Sequence, residues 1–220
     1  MTEIEAIRAR HAVRNYTAKP LSPEIIDELS QEIEQCNRQG QLHIQLVTEN
    51  EDAFKTFIPL FGRFKNVKNY IALAAKKQGD FYVKCGYCGA RLMVKAQQAG
   101  LNSCWVTNTY NAKKCPVTLA PDEELVGVIA IGYGTTDGTQ HKSKSMERLC
   151  KPCSDKWFLD GMNAAVLAPT GLNRQNFFIE ANGNTVSIRT KDNHPMSQIN
   201  TGIVKYHFEV GAGRENFIWK

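Results

Sequence analysis

The sequence predicts a layered domain of α-helices and β-strands, and three observations carry that prediction. Stretches at 42–47, 70–75 and 125–134 have the composition and patterning of strands. Helical segments read at 23–38, 85–99, 156–167 and 198–212. A hairpin signal, Asn182-Gly183, separates two further β-rich runs. A chain of 220 residues can bury a substantial core, and residues 1–220 read as one domain.

In chain order, Ile4 and Ile7 stand at helical spacing ahead of Arg10-His11-Ala12-Val13-Arg14-Asn15-Tyr16. That stretch holds three basic side chains within five residues and stops at an aromatic. Lys19-Pro20-Leu21 then reads as an extended link into a helix, with Ser22 as N-cap, Pro23 at the first helical position and Asp27-Glu28 in the early turns. A basic cluster in the break between two helices suits a phosphate, because charge, fork-shaped Arg donors and free backbone N–H groups can converge there. A solvated basic surface is the other reading of the same residues.

Leu42 to Val47 alternates and is β-rich. Phe54 to Phe64 carries four aromatics with Pro59 and Gly62, and reads as an irregular connection or short helix. Tyr70 to Ala75 is apolar on both faces, as a central strand would be. The segment Cys85 to Ala99 has small residues on one side, apolar ones on another, and Gly100 as its stop, which predicts the most buried helix. It runs into Leu101-Asn102-Ser103-Cys104-Trp105-Val106, where Trp105 is either a core aromatic or a ligand contact. Leu125 to Gly134 is the strongest strand. A glycine-containing polar loop and the basic run His141-Lys142-Ser143-Lys144 follow it; that run could equally be a solvated loop. The helix from Lys156 is stopped by Ala168-Pro169-Thr170-Gly171-Leu172-Asn173-Arg174-Gln175. A faint echo, Gly86…Gly100…Trp105 against Gly202…Gly213…Trp219, reads either as two similar helices or as chance, and chance is the preferred reading.

Composition excludes several classes. The formal charge of +5 is mild, and Lys and Arg are spread rather than gathered into a nucleic-acid tract. No apolar run approaches the roughly 20 residues of a membrane helix, and no signal peptide is visible. A cytoplasmic protein is expected. Seven cysteines, an odd number, argue for thiols or a metal rather than a disulfide scaffold. There is no Gly-x-Gly-x-x-Gly after a strand, no Walker motif and no G-x-S-x-G elbow.

Four of these stretches, in order, resemble the nitroreductase-like FMN flavoproteins. The N-terminal segment is similar to that family's Arg-x-Ser-x-Arg-x-Tyr/Phe, with Ala12 where Ser is usual, so one hydroxyl donor is missing and a backbone N–H could serve instead. Gly-Leu-x-Ser-x-Trp is the second match, Gly-Tyr-Gly followed by a basic run the third. Ala-Pro-Thr170-Gly-Leu-Asn173-Arg-Gln175 resembles the signature Ala-Pro-Ser-x-x-Asn-x-Gln-Pro-Trp, with Asn176-Phe177 replacing Pro-Trp. Its place near the end of the chain is similar to a subgroup labelled TM-type nitroreductases. The resemblance implies an α+β fold: a mixed, mostly antiparallel sheet flanked by helices, usually a homodimer. It implies an FMN-dependent oxidoreductase that uses NAD(P)H to reduce nitroaromatic, quinone or similar acceptors by ping-pong hydride transfer. Arg10, His11, Ala12 and Arg14 would grip the phosphate and ribityl chain, with Lys142 and Lys144 as further cations. Trp105 would lie near the ring, and Pro169, Thr170, Asn173 and Gln175 would reach polar atoms of the flavin. No acid–base residue is nominated.

One rival constellation stands beside this. Cys85-x-x-Cys88 and Cys150-x-x-Cys153 have the pattern of a four-thiolate zinc or Fe–S site in a metal-stabilised binding module. Their wide separation departs from a zinc ribbon. The five histidines show no metal-ligand spacing.

Overall fold

The computed structural model describes residues 1–55 and 64–220. The connection expected between Phe54 and Phe64 falls largely on 56–63 and lies outside the described residues. The elements run α1 (Glu3–Ala9), α2 (Pro23–Gly40), β1 (Gln45–Val47), β2 (Asn69–Lys76), α3 (Phe81–Gln98), β3 (Asn102–Val106), β4 (Glu123–Gly132), α4 (Lys156–Ala165), β5 (Phe177–Asn182), β6 (Thr185–Thr190), α5 (Pro195–Ala212) and β7 (Ile218–Trp219). They form a mixed α+β protein whose residues gather into two compact units. One comprises Ala9–Phe81 and Leu92–Gln140, the other Met1–Arg8, Tyr82–Arg91 and His141–Lys220.

The first unit is built on a four-stranded sheet in the order β1-β2-β4-β3, antiparallel at every pairing. Strand β2 is central, as its two-sided apolar pattern requires: seven of its eight residues are buried. Strand β1 is shorter than its alternating pattern suggests; Leu42 joins the sheet through an isolated bridge to Ala75, and the His43 N–H donates to the Ala74 carbonyl at 2.8 Å. Helix α2 begins where its signals place it. The Ser22 side chain accepts from the Ile25 N–H at 3.4 Å, Pro23 opens the first turn, and Leu29, Ile33 and Cys36 are buried at helical spacing. Val13, Tyr16, Phe54, Tyr70, Val106 and Val128 belong to one buried apolar cluster in this unit.

The second unit combines α4, α5, the first half of α3 and a small sheet in the order β5-β6-β7. Its β5–β6 pair is antiparallel and β6–β7 parallel. Asn182 pairs with Thr185, so the two-residue hairpin loop is Gly183-Asn184, one position beyond the sequence expectation. Rings from α4, α5 and the C-terminal segment fill this unit: Phe158, Phe208, Phe217 and Trp219 meet edge to face or tilted, with centroids 5.1–5.6 Å apart.

Gly86 and Gly202 meet at a helix crossing. A Cβ on Gly86 would land on the Ile199 carbonyl, and one on Gly202 would land on the Val83 carbonyl and stand 2.6 Å from the Tyr87 nitrogen. Helices α3 and α5 therefore cross backbone to backbone at these two residues, and only glycine permits the approach. Beside the crossing, the Tyr87 hydroxyl donates to Glu209 Oε2 at 2.5 Å and the Tyr206 hydroxyl to Glu3 Oε1 at 2.6 Å.

Candidate functional site

The sequence candidates divide between the two units, and each group has its own local logic. In the first unit, residues 10–16 are extended rather than helical and are stitched down at intervals. Val13 N–H donates to the Ser103 carbonyl at 3.1 Å, Tyr16 N–H to the Lys65 carbonyl at 3.1 Å, and Thr17 N–H to the Tyr133 carbonyl at 2.8 Å. The Tyr16 ring is buried, with its hydroxyl 2.7 Å from the Val13 carbonyl and 3.2 Å from that of Ala130. Burial pushes this phenol well above its usual range, so it serves as a neutral anchor.

The two arginines of the segment behave differently. Arg14 is exposed, whereas Arg10 is only 4% exposed. Arg10 Nε and Nη1 are buried and have no hydrogen-bond partner among the described residues. Burial lowers its pKa from 12.5 to about 10, with Cys104 acting in the opposite direction, so the group stays cationic at neutral pH. A buried, charged fork with unmet donors costs several kcal/mol, on the order of what its anion would recover. His11 is half-buried and Ala12 exposed. A Cβ on Gly138 would stand 2.9 Å from His11 Cβ and 3.2 Å from the Ala12 carbonyl, so the loop after β4 packs directly on this segment.

Strand β3 runs alongside. Ala12 and Ser103 are parallel bridge partners, and Trp105 lies two residues further on the same face. Trp105 is half-buried, and its Nε1 is buried without a partner. Ser103, which was not among the sequence candidates, is fully buried, and its Oγ also lacks a partner. Each such unmet polar group costs about 1–3 kcal/mol. The Ser in Gly-Leu-x-Ser-x-Trp was the available signal. Cys104, between them in sequence, has its thiol pushed up by burial, opposed by the charges of Arg14 and Arg10.

In the second unit the structure joins the basic run to the 168–175 segment. The Gln175 side chain is buried: its Oε1 accepts from the Lys144 N–H at 2.8 Å and its Nε2 donates to the Lys142 carbonyl at 2.9 Å and to Asn173 Oδ1 at 2.7 Å. Asn173 Nδ2 donates to the same Lys142 carbonyl at 3.0 Å, and Thr170 Oγ1 accepts from the Gln175 N–H at 3.0 Å. Lys144 Nζ donates to the carbonyls of Arg174 and Gln175, while Ser143 Oγ donates to the Val166 carbonyl at 2.9 Å. Both amides and one ammonium are thus spent on ordering the loop. Lys142 is exposed, and Pro169 and Thr170 are half-buried. Leu172, Asn173 and Gln175 all have positive φ (53°, 53° and 46°), strain that this hydrogen-bond web holds in place.

The metal alternative is corrected. Cys85 and Cys88 are buried along α3, Cys150 donates to the Met146 carbonyl at 3.4 Å, and Cys153 faces Asp155 Oδ2 at 3.7 Å. Among the described residues no group of three or more His, Cys, Asp or Glu side chains is placed to hold a metal. The first pair lies one turn apart on a helix, where such a spacing arises without a metal. Among the described residues no cysteine is in a disulfide.

Comparison with known proteins adds the following. The family model "Putative TM nitroreductase" matches residues 3–212. No curated protein matches the chain in sequence. A "putative nitroreductase" from Thermotoga maritima superposes with a TM-score of 0.67 at 21% identity, covering 98% of this chain and 85% of its own. A "putative nitroreductase in complex with FMN" from Desulfovibrio desulfuricans gives 0.57 at 16% identity, covering 70% and 98%. A "Putative NADH dehydrogenase/NAD(P)H nitroreductase" from Parabacteroides distasonis gives 0.54 at 19%, covering 67% and 95%. These likenesses show a shared fold. Among the described residues no helix is long and apolar enough to cross a membrane.

Proposed function

The chain belongs to the family described as "Putative TM nitroreductase", and from that premise we propose that it is an FMN-dependent oxidoreductase. Its reaction is the reduction of nitroaromatic, quinone or similar acceptors by NAD(P)H in a ping-pong cycle. The observation that carries the reading is Arg10: a buried guanidinium with two unpartnered nitrogens calls for an anion, and the phosphate of FMN is one of suitable charge. The names of the Desulfovibrio and Parabacteroides neighbours support the cofactor and the donor.

When bound, FMN supplies the hydride chemistry itself. The chain's residues bind and orient it. Arg10 neutralises the phosphate, and the exposed Arg14 adds a weaker, solvent-screened charge. His11 and the Ala12 backbone line the same segment, and the half-buried Trp105 offers an aromatic face and an indole N–H. The family resemblance also points to Lys142 as a further cation and to Pro169 and Thr170 as flavin contacts. Lys144, Asn173 and Gln175 act by holding their loop in shape. A homodimer in the cytoplasm completes the reading, and cysteines outside disulfides suit that compartment.

Arg10→Ala/Arg14→Ala is expected to lose FMN on gel filtration, whereas the parent protein retains it; equal retention would sink the phosphate assignment. Anaerobic bleaching of bound flavin by NADH and by NADPH identifies the donor, and no bleaching by either would remove NAD(P)H from the proposal. Sedimentation of the holoprotein tests the dimer against a chain mass of 24.7 kDa.

A further inference from the structure

We propose that Ser103 supplies the hydroxyl that Ala12 cannot, so that the cofactor contact missing from the N-terminal segment is made from the adjacent strand. This inference rests on the FMN reading above. Ala12 and Ser103 are register partners in a parallel bridge, which puts their side chains beside each other on one face. The N-terminal motif thus has a methyl at residue 12, and a hydroxyl stands one strand over.

The obvious substitute, a backbone N–H next to Ala12, is already committed in part. The Val13 N–H donates to the Ser103 carbonyl at 3.1 Å. The Ser103 hydroxyl, by contrast, is 0% exposed and has no partner among the described residues. A hydroxyl can donate one hydrogen bond and accept others, and burying it unused is costly. Arg10, two residues before Ala12, is buried with unmet donors of its own. Trp105, two residues after Ser103 on the same face of β3, adds an unmet indole N–H. These three groups belong to one unit, and each has a donor that no described residue meets, which suits an acceptor-rich ligand such as a phosphate and its polyhydroxyl chain. Ser103 acts here as a positioning and affinity residue; it is not assigned a part in hydride transfer.

The test is flavin-fluorescence quenching on apo-protein titrated with FMN, for the parent, Ser103→Ala, Ala12→Ser and the double variant Ala12→Ser/Ser103→Ala. Ser103→Ala is expected to weaken binding about tenfold, the loss of one hydrogen bond to a charged or polar ligand. Restoring a hydroxyl at residue 12 is expected to recover most of that loss in the double variant. A purely structural serine would not be rescued from a neighbouring strand. Circular dichroism melting of each apo-variant separates misfolding from lost affinity, and Ser103→Cys, which keeps the size and replaces the hydroxyl by a weak thiol donor, is the fallback should Ser103→Ala not fold. If the parent binds FMN and Ser103→Ala, or Ser103→Cys in its place, binds as tightly with no change on adding Ala12→Ser, the inference is overturned while the FMN reading stands. If the parent takes up no FMN, the FMN reading fails and takes this inference with it.

Discussion

Arg10 sits in tension with the fold that contains it. Burial opposes its charge and lowers its pKa to about 10, yet no partner among the described residues compensates its Nε and Nη1. Such a residue should help the ligand more than the fold, and this separates a binding role from a structural one. Arg10→Met keeps volume and removes the buried charge. The apo-protein is expected to melt at the same temperature or higher, because exchanging a buried charge for an apolar side chain is often neutral or stabilising. FMN affinity should fall by about tenfold to a hundredfold, the loss of about 1.5–3 kcal/mol from a charge-assisted bond. Thermal melts with and without FMN check both halves; an apo-protein that collapses on this substitution would mean that Arg10 is a structural residue. The sequence located the arginines but could not rank them. Their two-residue cluster reads the same whether a side chain points inward or out, and only the stitching of 13, 16 and 17 to neighbouring segments decides it. It also passed over Ser103, a residue type whose meaning depends wholly on whether its hydroxyl finds a partner.

At the level of elements, the periodic segments were the most legible. Helix α2 announced itself through Ser22, Pro23 and its apolar spacing, and β2 through its two-sided apolar run. Less legible was anything set by a distant partner. The α3–α5 crossing is one case: Gly86 and Gly202 are 116 positions apart, and their shared role exists only because two helix backbones meet there. Gly202→Ala forces a Cβ into the Val83 carbonyl, and a backbone cannot step aside cheaply. A loss of about 1–3 kcal/mol is expected, lowering Tm by roughly 2–4 °C per kcal/mol for a chain of this size. Unchanged melting would show that the helices are further apart than described. The roles of Asn173 and Gln175 are a second case. Their amides were legible as polar contacts, but the structure spends them on the 142–144 loop, a partner about 30 residues away.

A third long-range contact gives a pH prediction. His43 Nδ1 lies 2.9 Å from Glu123 Oε2, and the Ala120 N–H donates to the same oxygen at 2.8 Å. The bond to His43, then that to the Ala120 N–H, holds the Glu123 carboxyl below its ordinary value of 4.5. A carboxyl lowered on folding stabilises the protein fully above the unfolded value, and that contribution is lost as pH falls through the lowered one. Glu123→Gln should therefore narrow the stability gap between neutral pH and pH below about 4.5 in urea titrations. An identical pH profile for parent and variant would remove this contact as a source of acid sensitivity.

Across the whole molecule, what the sequence hid most completely is how the chain is shared between its two units. One unit takes three separate stretches and the other two, with α3 contributing to both. No local pattern in 81–98 marks the change, because helical periodicity continues through it without a break. The order of motifs was legible and so was the family, since each motif is local: a few residues whose types and spacing survive at low overall identity. The thiol pairs show the opposite failure. A three-residue spacing recurs along any helix face and says nothing about a metal until the other pair is seen to close on it, which among the described residues it does not.

The account depends on one claim, that this chain holds FMN, and the visible absorption spectrum of the purified protein tests it most directly, with the released chromophore identified by mass. The expected result is a yellow protein that releases FMN on denaturation, or a colourless one that turns yellow and retains the colour when FMN is added. A protein that is colourless as purified and takes up no added FMN would contradict the account, and would leave the buried Nε and Nη1 of Arg10, which no described residue meets, to be explained by some other anion.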